Sequence, residues 1–227
     1  YDEEPSWRYL GQTFHMCRAK IEQGLPWELP MPPANSLTKD HEMVLLRQSL
    51  VWFEANKKMF TRPTISEQVV NFPVAGGWNV IGYVDGLTIN EDGTETLEEW
   101  KYAKGDYDQL SLRRQGSLYL AGRPNATVFK TRVFQKQSIK QKKGETISQF
   151  EQRAAEVMIE KASAGKLVIT SEFHRTEFPI EDEIACIDTA HRMIQVCIDT
   201  GFFPGAYSSM KCPMCPRQNL CKNMEIG

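Results

Sequence analysis

The chain has 227 residues, 41% of them hydrophobic, enough to bury a sizeable core in one main domain. Against 29 Asp and Glu stand 27 Lys and Arg, a formal net charge of -2, so the molecule is not a uniformly basic nucleic-acid coat and any DNA contact has to come from a local positive patch. No apolar run approaches the roughly 18 residues that span a bilayer, and the opening YDEEPSW lacks a signal-peptide pattern, which makes a soluble cytoplasmic protein without membrane contact the expectation.

The first sixty residues read as mainly helical, broken by the proline-rich connector LPWELPMPP from Leu25 to Pro33. From Ser36 to Lys58 the helical pattern resumes, with Val44, Leu45, Leu50, Val51 and Phe53 forming an apolar stripe. At Ser66 the character changes to strand, through Val69, Val70, Phe72 and Val74 to a Gly76-Gly77 turn and then WNVIGYVDGLTI, which predicts a hairpin. The polar turn Asn90 to Gly93 leads into a third strand, ETLEEWKYA, so Asp85 and Lys101 fall on adjacent antiparallel strands. A helix around Asp108 to Leu120, a strand around Ala126 to Gln135 and a lysine-rich link to Gly144 follow. Glu145 to Ala164 reads as helix, Lys166 to Phe178 holds a further strand, and Glu181 to Thr200 is a last helix.

This order predicts an α/β fold, a mixed central sheet flanked by helices. Within a single domain, residues 1–60 are its N-terminal helical part, 61–180 its sheet core, and 181–227 a C-terminal helix with a cysteine cluster.

In a strand, residues i and i+2 share a face, so Glu99 and Lys101 point one way and Trp100 the other. Asp85, across the hairpin, brings a second carboxylate beside Glu99. Two close carboxylates repel unless a cation lies between them, and a hard divalent ion with oxygen ligands meets that need. The plainer reading is that Asp85 ends a strand while Glu99 and Lys101 form a solvated pair.

Context favours the first reading. Asp85 in GYVDGL, thirteen intervening residues, Glu99-Trp100-Lys101 and then the helical Gln115-Gly-Ser-Leu-Tyr119 together resemble the RecB-like branch of the PD-(D/E)XK nucleases. The resemblance implies a restriction-endonuclease-like core and a metal-dependent deoxyribonuclease, an exonuclease on single-stranded or end-frayed DNA without sequence preference. Asp85, Glu99, Lys101, Gln115 and Tyr119 are then its catalytic residues. Mg2+ or Mn2+ is expected on Asp85, Glu99, the carbonyl of Trp100 and a histidine from an earlier helix, for which His41 in TKDHE is the candidate. Glu67 is a further candidate for an accessory acidic role, and Glu98 a bystander on the wrong face. The motif's leading Pro-Asp is Val84-Asp85 here.

Of six cysteines, Cys186 and Cys197 lie within an apolar helical pattern and read as core thiols. KCPMCPRQNLC supplies Cys212, Cys215 and Cys221, three soft ligands in a tight loop, with Cys17 as the spare fourth. Spacing alone favours Zn2+. One cysteine before the core and C-x2-C-x5-C after it resembles the iron–sulfur branch of the same nucleases, which includes CRISPR-adaptation and AddB-type enzymes. That resemblance implies a four-iron–four-sulfur cluster stapling the terminal helical region.

Lys130, Arg132, Lys136, Lys140, Lys142 and Lys143, with Arg113 and Arg114, make a basic segment that contacts DNA phosphates if it lines the cleft, and is a solvated linker otherwise. Two readings compete with the enzyme: a non-catalytic, metal-stapled DNA-binding subunit of a recombination or CRISPR complex, and a zinc-binding interaction module. Protein partners in those pathways, oligomerisation and a prokaryotic or phage setting are expectations of the resemblance alone. Replacing Cys215 by Ser is expected to destabilise the protein and bleach its visible absorption; a stable, fully metallated variant counts against the staple.

Overall fold

The computed structural model describes residues 5–74, 77–104 and 109–201. Cys212, Cys215 and Cys221 lie outside the described residues, so the structure bears on the four-cysteine site only through Cys17.

Two helices open the chain, α1 (Ser6–Gln23) and α2 (Asp40–Asn56). α1 stops at Gly24, whose left-handed φ of 74° turns its N–H back onto the carbonyls of Ile21 and Lys20. Prolines at 26, 30, 32 and 33 then hold the connector out of helix. Strands β1 (Ile65–Val74) and β2 (Trp78–Ile89) form the hairpin, and β3 (Glu95–Ala103) follows a tight turn in which the N–H of Asn90 donates to the carbonyl of Thr94 at 2.8 Å. Helix α3 (Gln109–Ala121) returns the chain to β4 (Ala126–Gln135), which lies parallel to β3. α4 (Ile147–Ser163) begins at a capping box of Thr146 and Gln149, and β5 (Val168–His174) and α5 (Ile180–Thr200) complete the described fold. The sheet runs in the order β1-β2-β3-β4-β5, with β3–β4 the parallel pair and its other neighbours antiparallel. The fold is therefore α/β with a five-stranded mixed sheet flanked by helices, as the element order predicts.

Each face of the sheet carries its own core. On one, Leu10, Phe14 and Ile21 of α1, Leu45, Leu50 and Phe53 of α2 and Phe150 of α4 enclose Trp100 and Phe134. On the other, Tyr119 and Leu120 of α3 pack on Val70, Val84, Leu97 and Phe129, with Phe178 beside them. β3 is central, and its residues Glu95 to Trp100 are all buried.

Two details differ from the periodicity-based expectation. Val51 of α2 is 45% exposed, because a helical repeat that buries Leu46, Leu50 and Phe53 rotates position 51 outward. α5 has no buried residue: Cys186 is exposed and Cys197 half-buried, so neither is a core thiol. An apolar helical period establishes amphipathicity, not that a second surface covers the stripe.

Charge reaches the core on the α1 side. Arg132 of β4 and Glu98 of β3 form an ion pair with both side chains nearly inaccessible, and the Arg132 guanidinium stacks 5.3 Å from the Trp100 ring and 5.7 Å from Phe60. Removing one member leaves the other charged without a partner. Glu98→Ala is expected to cost about 3–5 kcal/mol in urea unfolding, whereas Glu98→Leu combined with Arg132→Met costs far less; equal losses would contradict a desolvated pair.

Candidate active site

The β2–β3 ladder pairs Ile89 with Glu95 through to Gly86 with Glu98 and then stops. The next position on β2 is Asp85, and its side chain takes over: Oδ2 accepts the N–H of Trp100 at 2.7 Å. A carboxylate thus stands where backbone pairing ends, and the two strands part beside it.

α1 supplies the other partners of Asp85. His15 Nδ1 lies 2.9 Å from Oδ1, and Arg18, one turn along the same helix face, brings Nη2 to 3.6 Å from that oxygen. Arg18 also holds both oxygens of Glu22 through Nη1 and stacks 5.2 Å from the Trp100 ring, opposite in sequence to the Arg132 contact on the same indole.

Glu99 points to the α3 face. Its Oε1 accepts from Lys101 Nζ and, at 2.9 Å, from Gln115 Nε2. Gln115 reaches the Tyr119 hydroxyl at 2.7 Å, and that hydroxyl donates to the carbonyl of Tyr83 at 2.7 Å. The i, i+4 pair on α3 thereby fixes Glu99 from behind and ties it to β2 two residues before Asp85. Gly82 makes room for this chain, since a Cβ there would stand 2.6 Å from Cε1 of Tyr119. The second oxygen of Glu99, Oε2, is buried with no hydrogen-bond partner among the described residues.

Burial pushes the Asp85 carboxyl up, but His15, Arg18 and the Trp100 N–H outweigh it and hold the group below its ordinary range. Glu99 goes the other way: burial and the neighbouring Asp85 charge raise it, against the pull of Lys101. Glu22 is raised by burial against Arg18, with Glu98 and Asp85 adding repulsion. Tyr119 is held well above the usual phenol range by burial and the Glu99 charge, so its hydroxyl stays a donor.

The structure brings Asp85, Glu99, Lys101, Gln115 and Tyr119 together. It does not bring His41, which lies in the first turn of α2 and lines a separate hollow with Trp7 and Lys136; the histidine on Asp85 is His15. A sequence signal for it existed. Arg18 and Glu22 bring charge into the buried stripe Leu10, Phe14, Cys17, Ile21, which marks α1, and so its His15, as the early helix packed against a polar centre. For Trp100, the backbone group on Asp85 is its N–H. Glu98, on the other face, is a structural partner of Arg132.

The basic segment does not form one surface. Arg132 is buried on Glu98, Lys130 pairs with Glu172 at 2.7 Å, Lys136 with Glu42 at 2.9 Å and Arg114 with Glu183 at 3.3 Å, while Arg113 stacks on Phe173. Cross-strand and helix acids, invisible in the local sequence, meet these cations. Lys140, Lys142 and Lys143 are exposed.

Among the described residues, no group of three or more His, Cys, Asp or Glu side chains is arranged to hold a metal ion. The donor set nevertheless has one open place, the buried Oε2 of Glu99, next to a charged Asp85 and an imidazole. No protein-family model matches the chain, and none of the curated proteins matches it. The site's own chemistry therefore carries the functional reading.

Because folding raises the Glu99 carboxyl, its contribution to stability is fully present below the ordinary carboxyl range and is lost as pH rises through the raised value. In EDTA at about pH 7, Glu99→Gln is expected to melt above the wild type by roughly 2–4 °C, and to lose that advantage near pH 4. Mn2+ is expected to raise the wild-type melting temperature and leave the variant unchanged. Parallel wild-type and variant curves in calorimetry across this pH range would contradict the assignment.

Proposed function

We propose that the protein is a metal-dependent deoxyribonuclease of the RecB-like PD-(D/E)XK kind, acting on single-stranded or end-frayed DNA without sequence preference. The observation that carries this reading is the buried, unpartnered Oε2 of Glu99 beside the ionised Asp85. Four carboxylates, Glu22, Asp85, Glu98 and Glu99, are gathered here, and Arg18, Arg132 and Lys101 supply three permanent cations. Charge balance calls for a further positive charge on the Asp85–Glu99 side.

His15, Asp85 and Glu99 are the groups that would hold Mg2+ or Mn2+, an oxygen-rich set with one imidazole. Such an ion supplies Lewis acidity toward a phosphoryl oxygen and lowers the pKa of a bound water. The protein's own groups do the rest. Lys101, tethered to Glu99, stands where it can orient a water or meet charge developing on the phosphate. Gln115 and Tyr119 lock the Glu99 rotamer, and Arg18 keeps Asp85 ionised.

The cysteine site belongs to the same proposal. Cys17 is fully buried two residues after His15, its thiol donating to the carbonyl of Glu28 at 3.6 Å, and burial raises its pKa. It offers one soft donor at the joint between α1 and the proline-rich connector. Cys212, Cys215 and Cys221 would complete a 4Fe–4S or Zn2+ site.

One observation favours a second reading, a non-catalytic DNA-binding subunit: both oxygens of Asp85 are already hydrogen-bonded, so a metal has to compete with His15 or Trp100.

End-labelled single- and double-stranded DNA with Mn2+ or Mg2+ tests these readings. Asp85→Ala and Lys101→Ala are each expected to reduce cleavage by about a hundredfold or more. His15→Ala should join them while His41→Ala does not. A cluster-intact wild type that binds DNA without cutting it would select the second reading.

A further inference from the structure

One face of α1 is core: Leu10, Phe14, Cys17 and Ile21 are buried. The opposite face lines an open hollow of about 780 Å³ that runs from Trp7 to Gln23 and is walled on its far side by Glu67, Lys101 and Tyr102. His15 and Lys101, one partner each of Asp85 and Glu99, both line it. The hollow therefore adjoins the carboxylate site through these two side chains.

Its lining has the chemistry of a nucleic-acid path. Trp7 is 71% exposed at one end, an indole face without a covering layer among the described residues. Arg8 and Lys20 lie along it, and neither is in an ion pair among the described residues, whereas Arg18, Lys101, Arg132 and Lys136 each have a carboxylate partner. The only acid of α1, Glu22, is turned inward onto Arg18. Positive charge on this face is thus free for phosphates.

Gly11 adds an independent observation. A glycine inside a helix is destabilising relative to alanine. Here a Cβ would meet nothing within 4 Å, so no packing among the described residues requires its absence. Gly11 stands between Trp7 and His15 at helical spacing of four, with Ala19 one step further on the same line. Small residues at those points keep the helix surface low where a strand can lie against it.

Resting on the nuclease reading above, we propose that this hollow is the substrate path: a DNA single strand lies along α1, stacks a base on Trp7, sets phosphates on Arg8 and Lys20, passes over Gly11 and reaches the carboxylates at His15 and Lys101. From Trp7 to Lys20 the helix rises ~20 Å, which spans about six stacked nucleotides at ~3.4 Å each. Stacking on Trp7 needs an unpaired base, since a duplex keeps its bases inside its own stack. The path therefore selects single strands.

The test is fluorescence anisotropy with a labelled oligothymidylate, and with a duplex of equal length, in EDTA so that no cleavage occurs. Trp7→Ala is expected to weaken single-strand binding about tenfold, the size of one lost stacking contact. Arg8→Glu with Lys20→Glu should weaken it by more than about tenfold and flatten its salt dependence. Gly11→Leu, which keeps a strong helix former on an open surface, should weaken it about tenfold, and Gly11→Ala, which raises the melting temperature, should weaken it by a smaller factor of about threefold. Folded variants, verified by unchanged or higher melting temperatures, that bind as the wild type does would overturn the path; so would a wild type that prefers the duplex. Because no divalent ion is present, the result stands apart from catalysis, which the Mn2+ cleavage assay reads separately: a wild type that binds through α1 in EDTA and does not cut in Mn2+ sinks the nuclease and keeps the path, and one that cuts in Mn2+ while α1 variants bind normally does the reverse.

Discussion

Placing four carboxylates inside one small region is the constraint from which the rest of this structure follows. Glu22, Asp85, Glu98 and Glu99 have side chains largely or wholly out of water, and left alone they would repel or take up protons. The fold answers with position. α1 is docked so that Arg18 touches two of them, β4 runs parallel to β3 so that Arg132 meets Glu98, and Lys101 sits two residues after Glu99 on the same strand. Trp100 is the apolar centre of this arrangement, with both guanidinium groups about 5 Å from its ring and Phe53 and Phe60 against its edges. Moving α1 or β4 would expose aromatic surface and strand charge at once, which couples packing to electrostatics.

Asp85 sits where regular sheet structure lapses on both sides. Toward β3, pairing ends at Gly86 and Glu98; toward β1, the paired positions pass from Ser66–Gly86 to Gln68–Val84, and Glu67, opposite Asp85, takes a left-handed φ of 52°. Such a backbone costs on the order of 1–3 kcal/mol for a residue with a side chain. A fully laddered strand would occupy the Trp100 N–H with backbone and leave Asp85 no reason to turn inward. The irregularity is thus what converts a sheet residue into a site residue.

Much of this was legible in the sequence, for identifiable reasons. Alternation and turn residues located every strand to within a few positions, and the i, i+2 and i, i+4 rules placed Glu99 with Lys101 and Gln115 with Tyr119, because these relations are set by local geometry. What depended on which surfaces meet was not legible. His41 and His15 both lie on early helices, and only the docking of α1 distinguishes them. The lysine-rich segment showed no acids in its own stretch, yet Glu172, Glu42 and Glu98 reach it from three other elements. α5 has an apolar period, and its Cys186 and Cys197 are nevertheless not core. Arg18 carried a signal that periodicity alone does not use: a cation inside an apolar stripe implies a buried polar centre beside that helix.

α1 carries three incompatible demands on its circumference, and the sequence keeps them separate by angle. Leu10, Phe14 and Ile21 must be dry, His15 and Arg18 must touch carboxylates at the boundary, and Trp7, Gly11 and Lys20 must face an open hollow. A helix repeats every 3.6 residues, so Leu10 with Phe14, His15 with Arg18 and Trp7 with Gly11 recur at intervals of three and four without colliding, while Lys20, half a turn from Gly11, enters the hollow from its other flank. Stability alone would favour alanine at position 11 and a neutral group at position 99. Gly11 and Glu99 are thus two places where α1 and β3 depart from what their own elements prefer, Gly11 on the hollow and Glu99 in the carboxylate pair beside it. Local cost at neighbouring positions, in a fold otherwise consistent from helix caps to core, is what singles out this surface for the proposed role.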